Sequence, residues 1–111
     1  MLAISSHRGF HLSFENGWTA SVQFGPGNYC EHHGSIMARD DWDKPKNVDI
    51  WKSCNAEIAA WNRNNEWFQF AGNSVEGWQS ANDVARFIGF ISSLDSDMVP
   101  GPMAFLVGER A

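Results

Sequence analysis

Four histidines, two cysteines and three aspartates around one tryptophan are the side chains of this chain best suited to chemistry. Cys30, His32 and His33 lie close together, and Cys54 or His7 could complete a tetrahedral metal set. The paired C-x-x-C and H-x(3–5)-H spacings of closed sites are absent, however. On a strand, residues 30 and 32 would share a face that residue 33 does not. A small buried cysteine beside two solvated loop histidines is the simpler reading, and no metal or other cofactor is expected. Asp40-Asp41-Trp42-Asp43 lacks the glycine and distal glutamate of a calcium loop and reads as a solvated acidic segment. Gly25-Pro26-Gly27-Asn28 could present backbone amides to an anion, but it lacks the lysine and following helix of a phosphate loop. No Gly-x-Ser-x-Gly elbow occurs. Cys30 could form a nucleophile pair only with a histidine brought to it by the fold. No catalytic residue is therefore assigned. The enzymatic alternative is a small hydrolase or nuclease using His11, His32 or His33 with an acidic partner.

The aromatic side chains carry a second kind of information. Six tryptophans, eight phenylalanines and one tyrosine exceed what one small core needs. Phe10, Phe14, Trp18, Phe24, Phe68, Phe70 and Phe87 suit inward positions. Trp42, Trp51, Trp61, Trp67 and Trp78 are harder to bury together. Partly exposed tryptophans anchor interfaces and stack on planar ligands, although a second cluster beneath a long loop would also absorb them. The surplus favours a homo-oligomer over a monomer.

The elements that position these residues follow from periodicity. Phe10, Leu12 and Phe14 alternate with polar residues, as do Trp18, Ala20, Val22 and Phe24, so both segments read as strands. Glu15-Asn16-Gly17 joins them. A two-residue loop would split the apolar residues between two faces. A three-residue loop pairs Phe14 with Trp18, Leu12 with Ala20 and Phe10 with Val22, leaving Gly17 in the left-handed conformation. The opposite face then carries His11, Ser13, Thr19, Ser21 and Gln23. Gly25 to Asn28 ends the second strand, and a polar connection runs over about 25–47. The segment from about Val48 to Trp61 is ambiguous: alternation from Cys54 to Ala60 favours a third strand, and its alanines would also suit a helix. Trp67 to Phe70 predicts a fourth, after a loop at Asn62 to Asn65. Ser80 and Asp83 form a capping box before Val84, Phe87, Ile88, Ile91 and Leu94, which predicts a helix over about 80–94. Pro100 and Pro102 exclude its continuation, and Met103 to Val107 reads as an edge strand or docking arm. The whole is expected to be one α+β domain. About four antiparallel strands would carry one amphipathic helix on their apolar face.

With 43% hydrophobic and 19% charged residues, the chain is not of disordered type. Its net charge of −5 argues against general nucleic-acid binding, which favours a basic stripe. No basic region precedes a long apolar run at the start, and no apolar stretch reaches the ~20 residues of a membrane span. No membrane association is expected. Two cysteines without a secretory signal predict reduced thiols and a cytoplasmic location.

The run from Gly9 to Cys30, of pattern G-F-H-x-x-F-x-N-G-x-T-x-S-V-Q-F-G-x-G-N-Y-C, resembles a family of small proteins encoded by bacteriophages and prophages. Val75 to Trp78 and Asp83 to Ile88 resemble it more loosely. The resemblance implies a phage context, in which small non-structural proteins often antagonise bacterial immunity, and a host-cell cytoplasmic location. It brings no catalytic residues. The leading expectation is a phage-encoded counter-defence binding protein that sequesters a nucleotide-like immune signal or blocks a host defence protein. A self-associating phage structural or assembly protein is a further alternative. Because the hairpin register sets His7 opposite Gly25, the expected ligand site comprises His7, Arg8, His11, Gly25, Gly27, Asn28 and Tyr29. His32 and His33 arrive on the loop. Trp42 and Trp51 are the fallback surface.

Overall fold

In the first hairpin Phe10 stands opposite Val22, Leu12 opposite Ala20 and Ser13 opposite Thr19, the register that the apolar alternation requires. The Phe14 amide donates to the Trp18 carbonyl at 2.8 Å, closing the three-residue loop, and Gly17 has φ +94°. The computed structural model describes residues 1–4, 8–25, 28–31, 33–34, 52–95 and 99. Its five strands are β1 (Leu2–Ile4), β2 (Gly9–Ser13), β3 (Thr19–Gln23), β4 (Asn55–Trp61) and β5 (Glu76–Ser80). They form one antiparallel sheet in the order β1-β2-β3-β4-β5. The helix α1 (Ala81–Ser92) follows β5 directly and packs on β3, β4 and β5. The fold is therefore α+β, as the patterning predicts.

One apolar layer holds the sheet and the helix together. Trp18, Ala20, Val22, Ala56, Ile58 and Ala60 come from the hairpin and β4, and Phe87 and Ile91 come from α1. The small alanines of β4 let the helix approach the sheet closely. Phe68 and Phe70 complete the layer, and neither is exposed to solvent.

Two departures from the sequence reading concern the strands. Trp67 to Phe70 is not the fourth strand. It makes one isolated bridge to β4, Trp61 with Trp67, and another from Phe70 to Asn73. Both phenylalanines point into the core, which gives strand-like spacing, but Ala71 (φ 47°) and Gly72 (φ 100°) turn the chain at once. The remainder of the β4 edge pairs with β5 instead. The other departure is the additional strand β1, whose three residues are all exposed and so carry no alternation. The expected arm at Met103 to Val107 and most of the 25–47 connection lie outside the described residues. Among the described residues, no helix is long and apolar enough to cross a membrane.

Both ends of α1 are satisfied by side chains. At the N-terminus the Ser80 hydroxyl accepts from the Asp83 amide at 3.2 Å, and the Asp83 carboxylate accepts from the Ser80 amide at 3.1 Å. At the C-terminus the Asn16 carboxamide donates to the Ile91 carbonyl at 2.9 Å and the Leu94 carbonyl at 3.0 Å. Its oxygen accepts from the Trp18 amide at 3.0 Å, so one hairpin-loop residue caps the helix and shapes its own turn. Partial burial opposes ionisation of Asp83, but the hydrogen bonds from Ser80 and the nearby Arg86 guanidinium outweigh it and hold the carboxyl below its ordinary value. A depressed folded pKa stabilises above the unfolded value, ~4, and that contribution disappears as pH falls through the folded value. Replacing Ser80 with alanine should cost about 1 kcal/mol, a Tm decrease of roughly 4–8 °C at pH 7. Asp83→Asn should lower Tm at pH 7, and the difference from the natural chain should close only as pH falls through the depressed folded value of Asp83, below which both side chains are neutral.

Candidate ligand site

The loop after β3 is folded onto the sheet by a dense set of polar contacts. Asn28 begins it. Its side-chain oxygen accepts from the Gly25 amide at 2.9 Å, while its own amide donates to the Gly25 carbonyl at 3.0 Å. Glu57, on β4 opposite Gln23, then receives the loop with both carboxylate oxygens. One accepts from the Tyr29 amide at 2.9 Å and the other from the Asn28 carboxamide at 3.4 Å. Glu31 repeats the arrangement one step further along β4. Its amide donates to Asn55 Oδ1 at 2.7 Å, and its carboxylate accepts from the Cys54 amide at 3.0 Å. From the other side, the Trp78 amide of β5 donates to the Tyr29 carbonyl at 2.8 Å. The loop is thus tied to both strands at that end of the sheet.

These ties hold an aromatic pair at the surface. Tyr29 is 49% exposed, and its ring lies 5.1 Å from that of exposed His33 with 32° between their planes. His33 Nδ1 faces the Asn28 carbonyl at 3.0 Å, so that nitrogen donates, and in the neutral ring Nε2 is left as an acceptor. Trp78, 56% exposed with φ 57°, follows Gly77, whose backbone abuts Tyr29. The methylene stem of exposed Arg8 lies over Gly25. Arg8, Gly25, Asn28, Tyr29 and His33 therefore form one contiguous group. Its chemistry is a stacking surface with a cation and imidazole at its margins.

The other anticipated residues are placed differently. His11 stands edge-on to Trp61 on the sheet face away from α1, with ring centroids 5.2 Å apart. Trp61 in turn lies 4.8 Å from Trp67. Ser13 and Thr19 pair their hydroxyls on that face at 2.9 Å, and Ser21 beside them is only 6% exposed. His7, Gly27, His32, Trp42 and Trp51 lie outside the described residues. Sequence reasoning missed Glu57 and Glu31. The available signal was parity: Glu57 alternates outward on a predicted strand, beside whatever follows the end of β3.

The two cysteines are free, Cys30 buried and Cys54 exposed. Cys30 Sγ points to the Gly25 carbonyl at 3.5 Å. Among the described residues, no three histidine, cysteine or acidic side chains converge on a common point. The hydrogen bond to Glu31 and its negative charge raise the Cys54 thiol above its ordinary value. Glu31→Gln removes that charge, so iodoacetamide should label Cys54 several-fold faster at pH ~8, with Cys30 protected until the chain unfolds. Unchanged labelling kinetics would show that Glu31 does not control the thiol.

No protein-family model, curated protein or solved structure matches the chain.

Proposed function

We propose that this chain is a phage-encoded counter-defence binding protein that sequesters a nucleotide-like immune signal without turning it over. The observation that carries this reading is the Tyr29–His33 ring pair, exposed yet held by Glu57 and Trp78. A prefixed aromatic surface loses little entropy on receiving a base, and stacking on it contributes about 1–3 kcal/mol per base. Arg8 beside Gly25 supplies a charge for a phosphate. The diffuse −5 of the chain does not forbid this, because salt screens charges beyond ~8 Å. The phage context rests on the Gly9–Cys30 resemblance.

Titration of the natural chain with a panel of mono-, di- and cyclic nucleotides should yield one saturable class of ligand, recovered chemically unchanged. Tyr29→Ala and Arg8→Ala should each weaken binding about tenfold or more while Tm stays within a few degrees, since both side chains are exposed. Asn28 is unsuitable for this test because its side chain shapes the loop. Folded variants that bind the panel like the natural chain would reject the Tyr29 site. Turnover lost on replacing one histidine would select the hydrolase alternative.

Exposed Trp78 beside the loop favours a second reading, a surface that blocks a host defence protein, because Trp and Tyr are typical interface anchors. Trp78→Ala would then abolish co-purification with that protein and leave nucleotide binding intact. Self-association belongs to the same proposal. Leu2 and Ile4 on outer strand β1 are 77% and 78% exposed, and native mass spectrometry would show a multiple of the 12.4 kDa chain.

A further inference from the structure

Between the first half of α1 and the sheet lies an open cleft of about 280 Å³. Phe10, Val22, Ala56, Val84 and Ile88 form apolar walls, and Gln79 of β5 joins them. The cleft is separate from the Tyr29–His33 ring pair, and an inference from it stands whether or not that pair binds a nucleotide.

Gln79 is the informative residue. It is 5% exposed, and its side-chain nitrogen donates to the Gly77 carbonyl at 3.0 Å. That contact orients the carboxamide, because an oxygen facing a carbonyl oxygen would be repelled. Gln79 Oε1 is therefore left as the acceptor, and among the described residues no donor reaches it. A buried acceptor without a partner is costly, and native proteins rarely retain one without a reason. Ser53, Cys54 and Asn55 border the cleft as well, but among the described residues none of them donates to Gln79 Oε1. The other walls are hydrocarbon, so the site suits a molecule that brings one donor on a mainly apolar body.

We infer that the cleft is a binding site for a compact, largely apolar small molecule carrying one N–H or O–H donor, which the Gln79 carbonyl receives. The volume lies at the small end for ligand pockets and suits a bicyclic aromatic rather than a nucleotide or a long acyl chain. Val84 and Ile88 would cover one side of the ligand, and Phe10 and Val22 the other. Sites that hydrogen-bond a ligand donor discriminate strongly against an isostere lacking it, because the site's polar atom is then buried unpaired.

Indole and benzofuran make the test, being nearly the same shape but differing in the N–H. Titrated into the ¹⁵N-labelled natural chain, indole should produce saturable shifts at the Gln79 side-chain amide and at the Val84, Ala85 and Ile88 backbone amides. It should bind at least tenfold tighter than benzofuran. Gln79→Leu should bring the indole-to-benzofuran ratio close to one without abolishing benzofuran binding. Ala85→Leu, which narrows the cleft from the helix side, should weaken both. Equal affinity of the two probes for the natural chain would overturn the assignment, and that comparison needs no variant to fold. The absence of saturable shifts at cleft residues up to the solubility of indole would overturn it as well.

Discussion

Phe87→Ala is expected to cost about 3–5 kcal/mol, the largest loss available to a single side chain of the helix. Phe87 has no solvent exposure and sits where three parts of the chain meet. Its ring lies 6.0 Å from Phe68 and 5.4 Å from Phe70, and those two are 4.8 Å apart and nearly perpendicular. Phe68 also meets Phe90 at 5.8 Å. Removing the ring deletes the transfer contribution of a buried aromatic, leaves a cavity, and breaks one edge-type contact, to Phe68, and one tilted contact, to Phe70, worth about 0.5–1.5 kcal/mol each. The segment carrying Phe68 and Phe70 cannot compensate, because a single isolated bridge, Trp61 with Trp67, joins it to the sheet and its fixed position depends on these rings. Against a typical total of 5–15 kcal/mol, the loss should lower Tm by roughly 15–25 °C. Urea melts of Phe87→Ala and Phe87→Leu separate the contributions. Leucine fills much of the volume and should recover about half of the loss, whereas a decrease under ~1 kcal/mol for alanine would mean that the layer repacks.

The same contacts explain which parts of the fold could be read from the residues alone. The β2–β3 register was readable because parity leaves one solution that puts Phe10, Phe14, Trp18 and Val22 on one face. The helix was readable because its start signal, Ser80 with Asp83, and its apolar stripe agree. Strand β5 carries no such pattern. Its exposed Trp78 has a left-handed backbone, Gly77 contributes no side chain, and only Gln79 is buried. Hydrogen bonds to β4 on one side and to the Tyr29 carbonyl on the other define it, and those partners are distant in sequence. Trp67 to Phe70 misleads for the converse reason. Two inward phenylalanines at a spacing of two satisfy the strand template, while Ala71 and Gly72 deny it length. For the candidate site, the register set Arg8 beside Gly25 and hence beside Asn28 and Tyr29. It left His11 beside Trp61, further along the strands than the row of Gly9, Gln23 and Glu57 where the loop is received. Glu57 and Glu31 stayed hidden because their roles exist only once the loop lies on β4.

Gly77→Ala should detach that loop. Gly77 needs no special backbone angle; what it provides is room. A methyl group there would overlap Tyr29 Cβ and lie 2.8 Å from the Tyr29 carbonyl oxygen, both atoms close to the main chain and unable to swing aside. The loop must therefore move away from β5, breaking the 2.8 Å bond from the Trp78 amide and straining the bond from the Tyr29 amide to Glu57. Overpacking of this kind costs about 1–3 kcal/mol. The β2–β3 hairpin and the Asn16 cap on α1 lie outside the altered contacts and should keep their native protection. Hydrogen exchange resolves the two regions: the Tyr29 and Trp78 amides should exchange at least tenfold faster, while amides of β3 and the centre of α1 follow only the global change in stability. Nucleotide binding should fall with the loop, by as much as Tyr29→Ala causes, even though the substitution touches neither exposed ring face. Retained exchange protection at both amides would show that β5 yields instead. Retained binding by a chain whose loop amides exchange freely would sever the link between the braced loop and the ligand.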